Sequence, residues 1–260
     1  MTSLSLRDVT MTYEGLDRPV RALEALTLEV AGGDSVALIG PSGCGKSTVL
    51  LLAAGLLAPT AGEVLVGGAA HPGPRRQTAL ILQEHGLVPW KTVEDNAGLG
   101  LRIRGASRRA AREQSRSALE RVGLLEFARA FPGELSGGMR QRVGLARAVA
   151  LDADLLLMDE PLSALDALQR EDLQDVLLEL WRRRKHTQML VTHSIEEAVY
   201  LGRRIVVLSQ RPGRVGAIVD NPEAGDDSYR QSPAYYENCA RVRALLAAEG
   251  ALHAGTVAAS

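Results

Sequence analysis

Apolar residues alternate with polar ones near the start of the chain, at Leu4, Leu6, Val9 and Met11 and again at Leu26, Leu28 and Val30, which is the period of half-buried β-strands. Gly32-Gly33-Asp34 then turns the chain into Ser35–Ile39, an apolar run that reads as a further strand and leads into a helix beginning at Gly45-Lys46. Two more strands are predicted over residues 63–66 and 78–82, separated by Ala58-Pro59-Thr60-Ala61-Gly62 and the loop His71-Pro72-Gly73-Pro74. From about 93 to 150 the periodicity is helical, and Ser107 is placed to cap an Arg-rich helix that reaches Val122. Strand 155–158, helix 166–184, strand 188–192, helix 194–201 and strand Arg204–Leu208 then alternate as parallel α/β units do. After Pro222 the pattern is polar and turn-rich, with one helix over 233–248 and a small-residue tail expected to fray.

The motif Gly40-Pro41-Ser42-Gly43-Cys44-Gly45-Lys46-Ser47-Thr48 sits between the strand and the helix, where phosphate-cradling chemistry needs it. Its glycines let backbone N–H groups face phosphate, and the helix N-terminus favours negative charge. Lys46 can neutralise the β- and γ-phosphates, and Ser47 can ligate Mg²⁺. Downstream, Leu155-Leu156-Leu157-Met158-Asp159-Glu160 ends an apolar strand in two carboxylates, Asp159 suited to Mg²⁺ and Glu160 to polarising an attacking water. Between these halves lies Leu135-Ser136-Gly137-Gly138-Met139-Arg140-Gln141-Arg142, in which Ser136 would cap a helix whose first residues are the unencumbered Gly137 and Gly138. That makes a second anion-binding element.

Taken together, these motifs resemble ATP-binding cassette ATPases, the nucleotide-hydrolysing subunits of ABC transporters, over essentially residues 3–222. The resemblance implies an α/β fold: a P-loop NTPase (RecA-like) core with an N-terminal antiparallel β subdomain and an inserted α-helical subdomain at about 84–150, followed by a C-terminal extension at 223–260. It also implies a head-to-tail dimer, in which Ser136, Gly137 and Gly138 of one copy close on ATP held by the phosphate loop of a second copy. Matched residue by residue, Gln83 is similar to the glutamine that reaches Mg²⁺ and the attacking water, and Asp166 ends the Ser163-Ala164-Leu165-Asp166 loop that crosses the dimer interface. His193 matches the histidine that contacts the γ-phosphate. Tyr13 matches the aromatic that stacks on adenine, although from its strand alone it reads equally as a ring packed on the sheet.

The segment Glu84-His85-Gly86-Leu87-Val88-Pro89-Trp90 and the tetrad Arg211-Pro212-Gly213-Arg214 resemble importers of the nitrate, sulfonate, taurine and bicarbonate group, and importers of thiamine precursors share much of the pattern. Membrane permease subunits and an extracytoplasmic solute-binding protein are the partners this implies. Leu87, Val88 and Trp90 would lie near the permease, or else Trp90 packs within the helical subdomain.

Charge and composition narrow the alternatives. With 30 Lys and Arg against 31 Asp and Glu, the chain has no overall bias toward nucleic acid. Glu113 and Glu120 break the Arg-rich run, so solvated helix faces explain it better than a nucleic-acid groove. A cassette acting on DNA or ribosomes would carry a coiled-coil insertion or a second cassette, and neither is found here. The start of the chain lacks the pattern of a signal peptide, and the longest apolar run, 49–58, is too short to cross a bilayer. Cys44 lies inside the phosphate loop, where a disulfide would block the ligand. These features predict a chain that is not exported and that meets a membrane only through a partner; the family resemblance implies a peripheral protein on the cytoplasmic face of the bacterial inner membrane.

Overall fold

The computed structural model describes residues 1–15, 18–82, 86–226 and 228–257. In chain order its elements begin with β1 (Leu4–Tyr13), β2 (Val20–Val30), β3 (Ser35–Ile39), α1 (Lys46–Ala53), β4 (Ala61–Val66), β5 (Ala69–Ala70) and β6 (Thr78–Ile81). The helices α2 (Val93–Ala97), α3 (Leu99–Ile103), α4 (Arg108–Arg121) and α5 (Gly137–Ala150) follow, then β7 (Leu155–Asp159) and α6 (Ala167–Arg184). The chain closes with β8 (Thr187–Val191), α7 (Ile195–Leu201), β9 (Arg204–Leu208), β10 (Val215–Asp220) and α8 (Pro233–Val257). It divides into two compact units, residues 1–75 with 185–260, and residues 76–184.

The first unit holds an antiparallel sheet in the order β2-β1-β4-β5. The apolar alternation of β1 and β2 turns Leu4, Leu6, Val9, Leu26, Leu28 and Val30 inward, each almost fully buried. The unit also contains β3, which pairs in parallel with β8 on one side and β9 on the other, while β10 runs antiparallel to β9. All five residues of β3 and of β8 are buried, as expected of parallel strands covered on both faces. The polar ones among them are satisfied internally: the Gln188 amide donates to Ser35 Oγ at 2.8 Å, and Ser35 Oγ donates to the Leu201 carbonyl at 2.5 Å.

Two features here go beyond the sequence pattern. Strand β10 is half exposed and glycine-containing, with no clean alternation to announce it. Helix α8 continues past Ala248 to Val257, where the sequence pattern predicts a frayed tail. The start of α8 is held by the buried Asn221, whose amide donates to the carbonyls of Val199 (2.7 Å) and Gly202 (2.8 Å) while its oxygen accepts from the Tyr229 hydroxyl and Asn238 Nδ2. Burial pushes the Tyr229 phenol above its ordinary pKa, so the hydroxyl stays a donor.

In the second unit β6 pairs in parallel with β7, and helices α2 to α5 form the helical part. Ser107 caps α4, accepting from Ala110 N–H at 3.2 Å, and the helix buries Ala111, Ser115, Ala118 and Leu119 along one stripe. The opposite face is the solvated Arg and Glu surface, with Arg109 paired to Glu113 at 3.1 Å. No helix among the described residues is long and apolar enough to cross a membrane.

Candidate functional site

In the first unit β3 delivers the chain into the phosphate loop. Gly43 and Gly45 have φ of +75° and +101°, the left-handed region that side chains disfavour. Gly45 is also hemmed in: a Cβ there would lie 2.6 Å from Leu23 Cδ2. Lys46 turns its ammonium back over the loop, donating to the carbonyls of Gly40 (2.8 Å) and Pro41 (2.9 Å). This places a cation at the mouth of a helix that has no side-chain cap of its own, since its N-cap is Gly45. Cys44 is 1% exposed, and desolvation raises its thiol pKa, so it fills space beneath the loop as a neutral group. Ser42, Gly43 and Ser47 are exposed, and Pro41, Ser42 and Gly43 line a cavity of about 330 Å³ together with Gln210 and Arg211.

Thr48 is buried in the first turn of α1, its hydroxyl 3.2 Å from that of Tyr13. Tyr13 ends β1 with about a third of its surface exposed, so its ring is anchored at one end and open to solution beside the phosphate loop. His193 is exposed at the end of β8. Its neighbours are held tightly: Thr192 Oγ1 donates to the buried Glu197 carboxylate and accepts from Ser194 N–H at 3.0 Å, and Ser194 Oγ caps α7 by accepting from Glu197 N–H at 3.2 Å. The Thr192–Glu197 brace is a feature that sequence reasoning passed over, since a Glu one turn into a helix reads as an ordinary first-turn acid.

In the second unit β7 ends in Asp159, which is 8% exposed, and Glu160, whose φ of +47° is unusual for a side-chain-bearing residue. Three groups bond the Glu160 carbonyl and hold that conformation: Gln141 Nε2 at 3.2 Å, Ser163 Oγ at 3.1 Å and Ser163 N–H at 3.3 Å. Asp166 caps α6, its carboxylate accepting from Gln169 N–H at 2.9 Å. Ser136 caps α5 by accepting from Met139 N–H at 3.3 Å, and Gly138 lies where a Cβ would come within 3.0 Å of Leu165. Gly137 has no such crowding, so one glycine of the pair serves packing and the other leaves an open approach.

Gln83, Glu84 and His85 lie outside the described residues. Beyond them Trp90 is 78% exposed, so it does not pack into the helical part. Its loop is braced from below by Asn96, fully buried, whose amide bonds Val88 N–H (2.8 Å) and the carbonyls of Val88, Lys91 and Thr92. Arg147, on α5, reaches the Gly86 carbonyl at 3.0 Å and Asn96 Oδ1 at 3.1 Å. A groove of about 590 Å³ beside this loop is lined by Lys91, Glu94, Arg102, Arg108, Arg112 and Ser115.

The family model described as ABC transporter matches residues 23–163. The chain belongs to the ABC transporter family. As an ABC cassette it binds and hydrolyses ATP. Among curated relatives, a taurine import ATP-binding protein of Burkholderia thailandensis is 46% identical over 217 residues, covering 84% of each chain. Another, of Rhizobium johnstonii, is 44% identical over 236 residues, covering 88% of this chain and 90% of its own. Among solved structures, the dimeric structure of MJ0796, a bacterial ABC transporter cassette, aligns with a TM-score of 0.78 at 31% identity over 84% of this chain and 98% of that one. The same cassette in a post-hydrolysis state with ADP and Pi aligns equally well, at 32% identity. The fold is therefore the α/β ABC cassette, with its antiparallel β-sheet, core strands and helices as the motifs implied.

Proposed function

We propose that this ABC cassette energises uptake of a small sulfonate, taurine or a near analogue, as the ATP-hydrolysing subunit of an importer. The observation that carries the reading is the similarity to taurine import ATP-binding proteins across 84% to 90% of their length, with Trp90, which ends the importer-like segment, solvent-exposed. Two copies would close head to tail on two ATP molecules, as the similarity to a dimeric cassette supports. Permease subunits would receive the loop from Leu87 to Trp90, and an extracytoplasmic binding protein would deliver the solute. Work at the cytoplasmic face of the inner membrane follows from that assembly. The domain division that goes with it is one cassette over residues 1–222 and an extension over 223–260.

In the reaction, Lys46 and the backbone N–H groups of residues 40–48 hold the β- and γ-phosphates, and Tyr13 stacks on adenine. Ser136, Gly137 and Gly138 of the second copy contact the same nucleotide, with Asp166 at the interface. Glu160 accepts a proton from water as the water oxygen bonds to the γ-phosphorus; the bond to the β–γ bridging oxygen breaks, releasing ADP and phosphate. His193 steadies the γ-phosphate through the change. The oxygen donors of Ser47 and Asp159, with the amide of Gln83, suit a hard cation that keeps several waters, which fits Mg²⁺. When bound it neutralises phosphate charge.

The test is reconstitution of the cassette with a permease that copurifies with it, in liposomes with a taurine-binding protein. Taurine-loaded binding protein should raise ATP hydrolysis severalfold over unloaded protein. Equal rates with and without taurine, alongside stimulation by another nutrient, would overturn the solute class; failure to copurify with any permease would overturn the transport role.

A further inference from the structure

The tetrad Arg211-Pro212-Gly213-Arg214 has no place in the chemistry above, yet its turn rests on the phosphate loop. Gly213 is buried, and a Cβ added to it would lie 2.1 Å from the carbonyl oxygen of Cys44 and 3.3 Å from the carbon of that carbonyl. Both its backbone groups are committed to β2: its N–H donates to the Ala22 carbonyl at 2.8 Å, and its carbonyl accepts from Glu24 N–H at 3.1 Å. The turn is stiffened on itself, since Ser209 N–H donates to the Arg214 carbonyl at 2.9 Å and Arg214 N–H donates to Ser209 Oγ at 3.0 Å. It is also pinned by charge. Glu24 accepts from Arg214 at 2.5 Å and from Arg21 at 2.7 Å, joining the turn to β2 a second time.

We infer that Gly213 is a positioning residue for ATP binding, a backstop that sets the orientation of the Cys44–Gly45 peptide. A trans peptide holds its C=O and N–H antiparallel. With the Cys44 carbonyl seated against Gly213, the Gly45 N–H is turned to the opposite face of the loop, the one a phosphate approaches. Gly45 has φ +101° and is itself confined by Leu23 and Ala22, so the peptide is gripped from both ends. A side chain at 213 would displace the Cys44 oxygen and rotate that N–H away. The remaining phosphate-loop amides would still be in place, so the effect is a graded loss of affinity.

This inference rests on the phosphate loop being the ATP site, and the test separates the two. Binding of a fluorescent ATP analogue to the purified full chain is compared for Gly213→Ala, Arg214→Ala, Arg214→Lys and Lys46→Ala, with unfolding midpoints taken without nucleotide. Gly213→Ala should weaken binding by about tenfold or more, the loss of one hydrogen bond to a charged phosphate, with a midpoint lowered by the crowding but the protein still fully folded at the assay temperature. Parental affinity in this variant, or an affinity loss matched by a collapse of the midpoint, would overturn the inference. Should Gly213→Ala yield no folded protein, Arg214→Ala decides: a severalfold loss restored by Arg214→Lys supports the backstop, and unchanged affinity overturns it. Retained affinity in Lys46→Ala would instead overturn the phosphate-loop reading.

Discussion

The side-chain amide of Gln141 bonds the backbone on both sides of Pro161: its Nε2 donates to the Glu160 carbonyl at 3.2 Å and its Oε1 accepts from Ala164 N–H at 3.0 Å. Gln141 is 1% exposed and sits on α5, the helix that Ser136 caps. The helix after the Ser-Gly-Gly element and the loop after β7 are therefore tied at two points.

Gln141→Leu keeps the volume but removes both bonds that tie α5 to the backbone of Glu160 and Ala164. We expect a loss of about 1–3 kcal/mol in unfolding free energy, measured by urea titration, and a lower kcat because Glu160 loses one of the groups that hold its left-handed backbone. Unchanged kcat in a destabilised variant would make the brace purely structural.

Glu160→Gln should bind ATP as the parent does and hydrolyse it at a rate reduced by two or more orders of magnitude, since a positioned general base contributes about 10²–10⁴-fold. Size-exclusion chromatography with ATP should show a dimer that accumulates in this variant. Normal steady-state turnover would exclude Glu160 as the base.

Ser136→Ala removes the acceptor for Met139 N–H, at a cost of about 0.5–2 kcal/mol in helix stability. Nucleotide affinity of the isolated subunit should hold while hydrolysis falls, because in the proposed dimer the hydroxyl serves the ATP of the other copy. A collapse of affinity in dilute monomer would place Ser136 in its own chain's site and refute the trans arrangement.

Asn96→Ala leaves Val88 N–H and the Arg147 guanidinium without the oxygen they share. The loop carrying Trp90 should then lose its register, and the permease-dependent rise in ATP hydrolysis should shrink by more than the rate of the cassette alone. Equal losses in both assays would mean that the brace serves folding only.

Arg214, and after it Arg21, hold the Glu24 carboxyl below the usual carboxylate range. A depressed folded-state pKa gives stability that is present above the unfolded value and lost as pH falls through the folded one. The parent should therefore unfold at a higher temperature than Glu24→Gln near neutral pH, and the gap should close as the medium is acidified below the ordinary glutamate range. Because these groups are near the surface, salt should narrow the gap as well; a gap independent of pH would show that the pair contributes nothing through charge.

The chemistry-bearing motifs of this cassette were legible in order and spacing because they depend on local geometry. A strand, a glycine turn and a helix N-terminus make a phosphate cradle within ten residues, and Ser136 caps α5 within three. The apolar alternation of β1 and β2 and the unbroken runs of β3 and β7 likewise reveal themselves, since burial on one face or two leaves a period in the chain. What the tertiary structure alone decided are contacts between segments distant in sequence. Gln141 bracing Glu160, Arg147 reaching Gly86, and Gly213 seated on the Cys44 carbonyl each join segments 19 to about 170 residues apart. No local periodicity marks such a contact, for a buried amide or a crowded glycine looks in sequence like any other until folding brings its partner within hydrogen-bond or van der Waals distance.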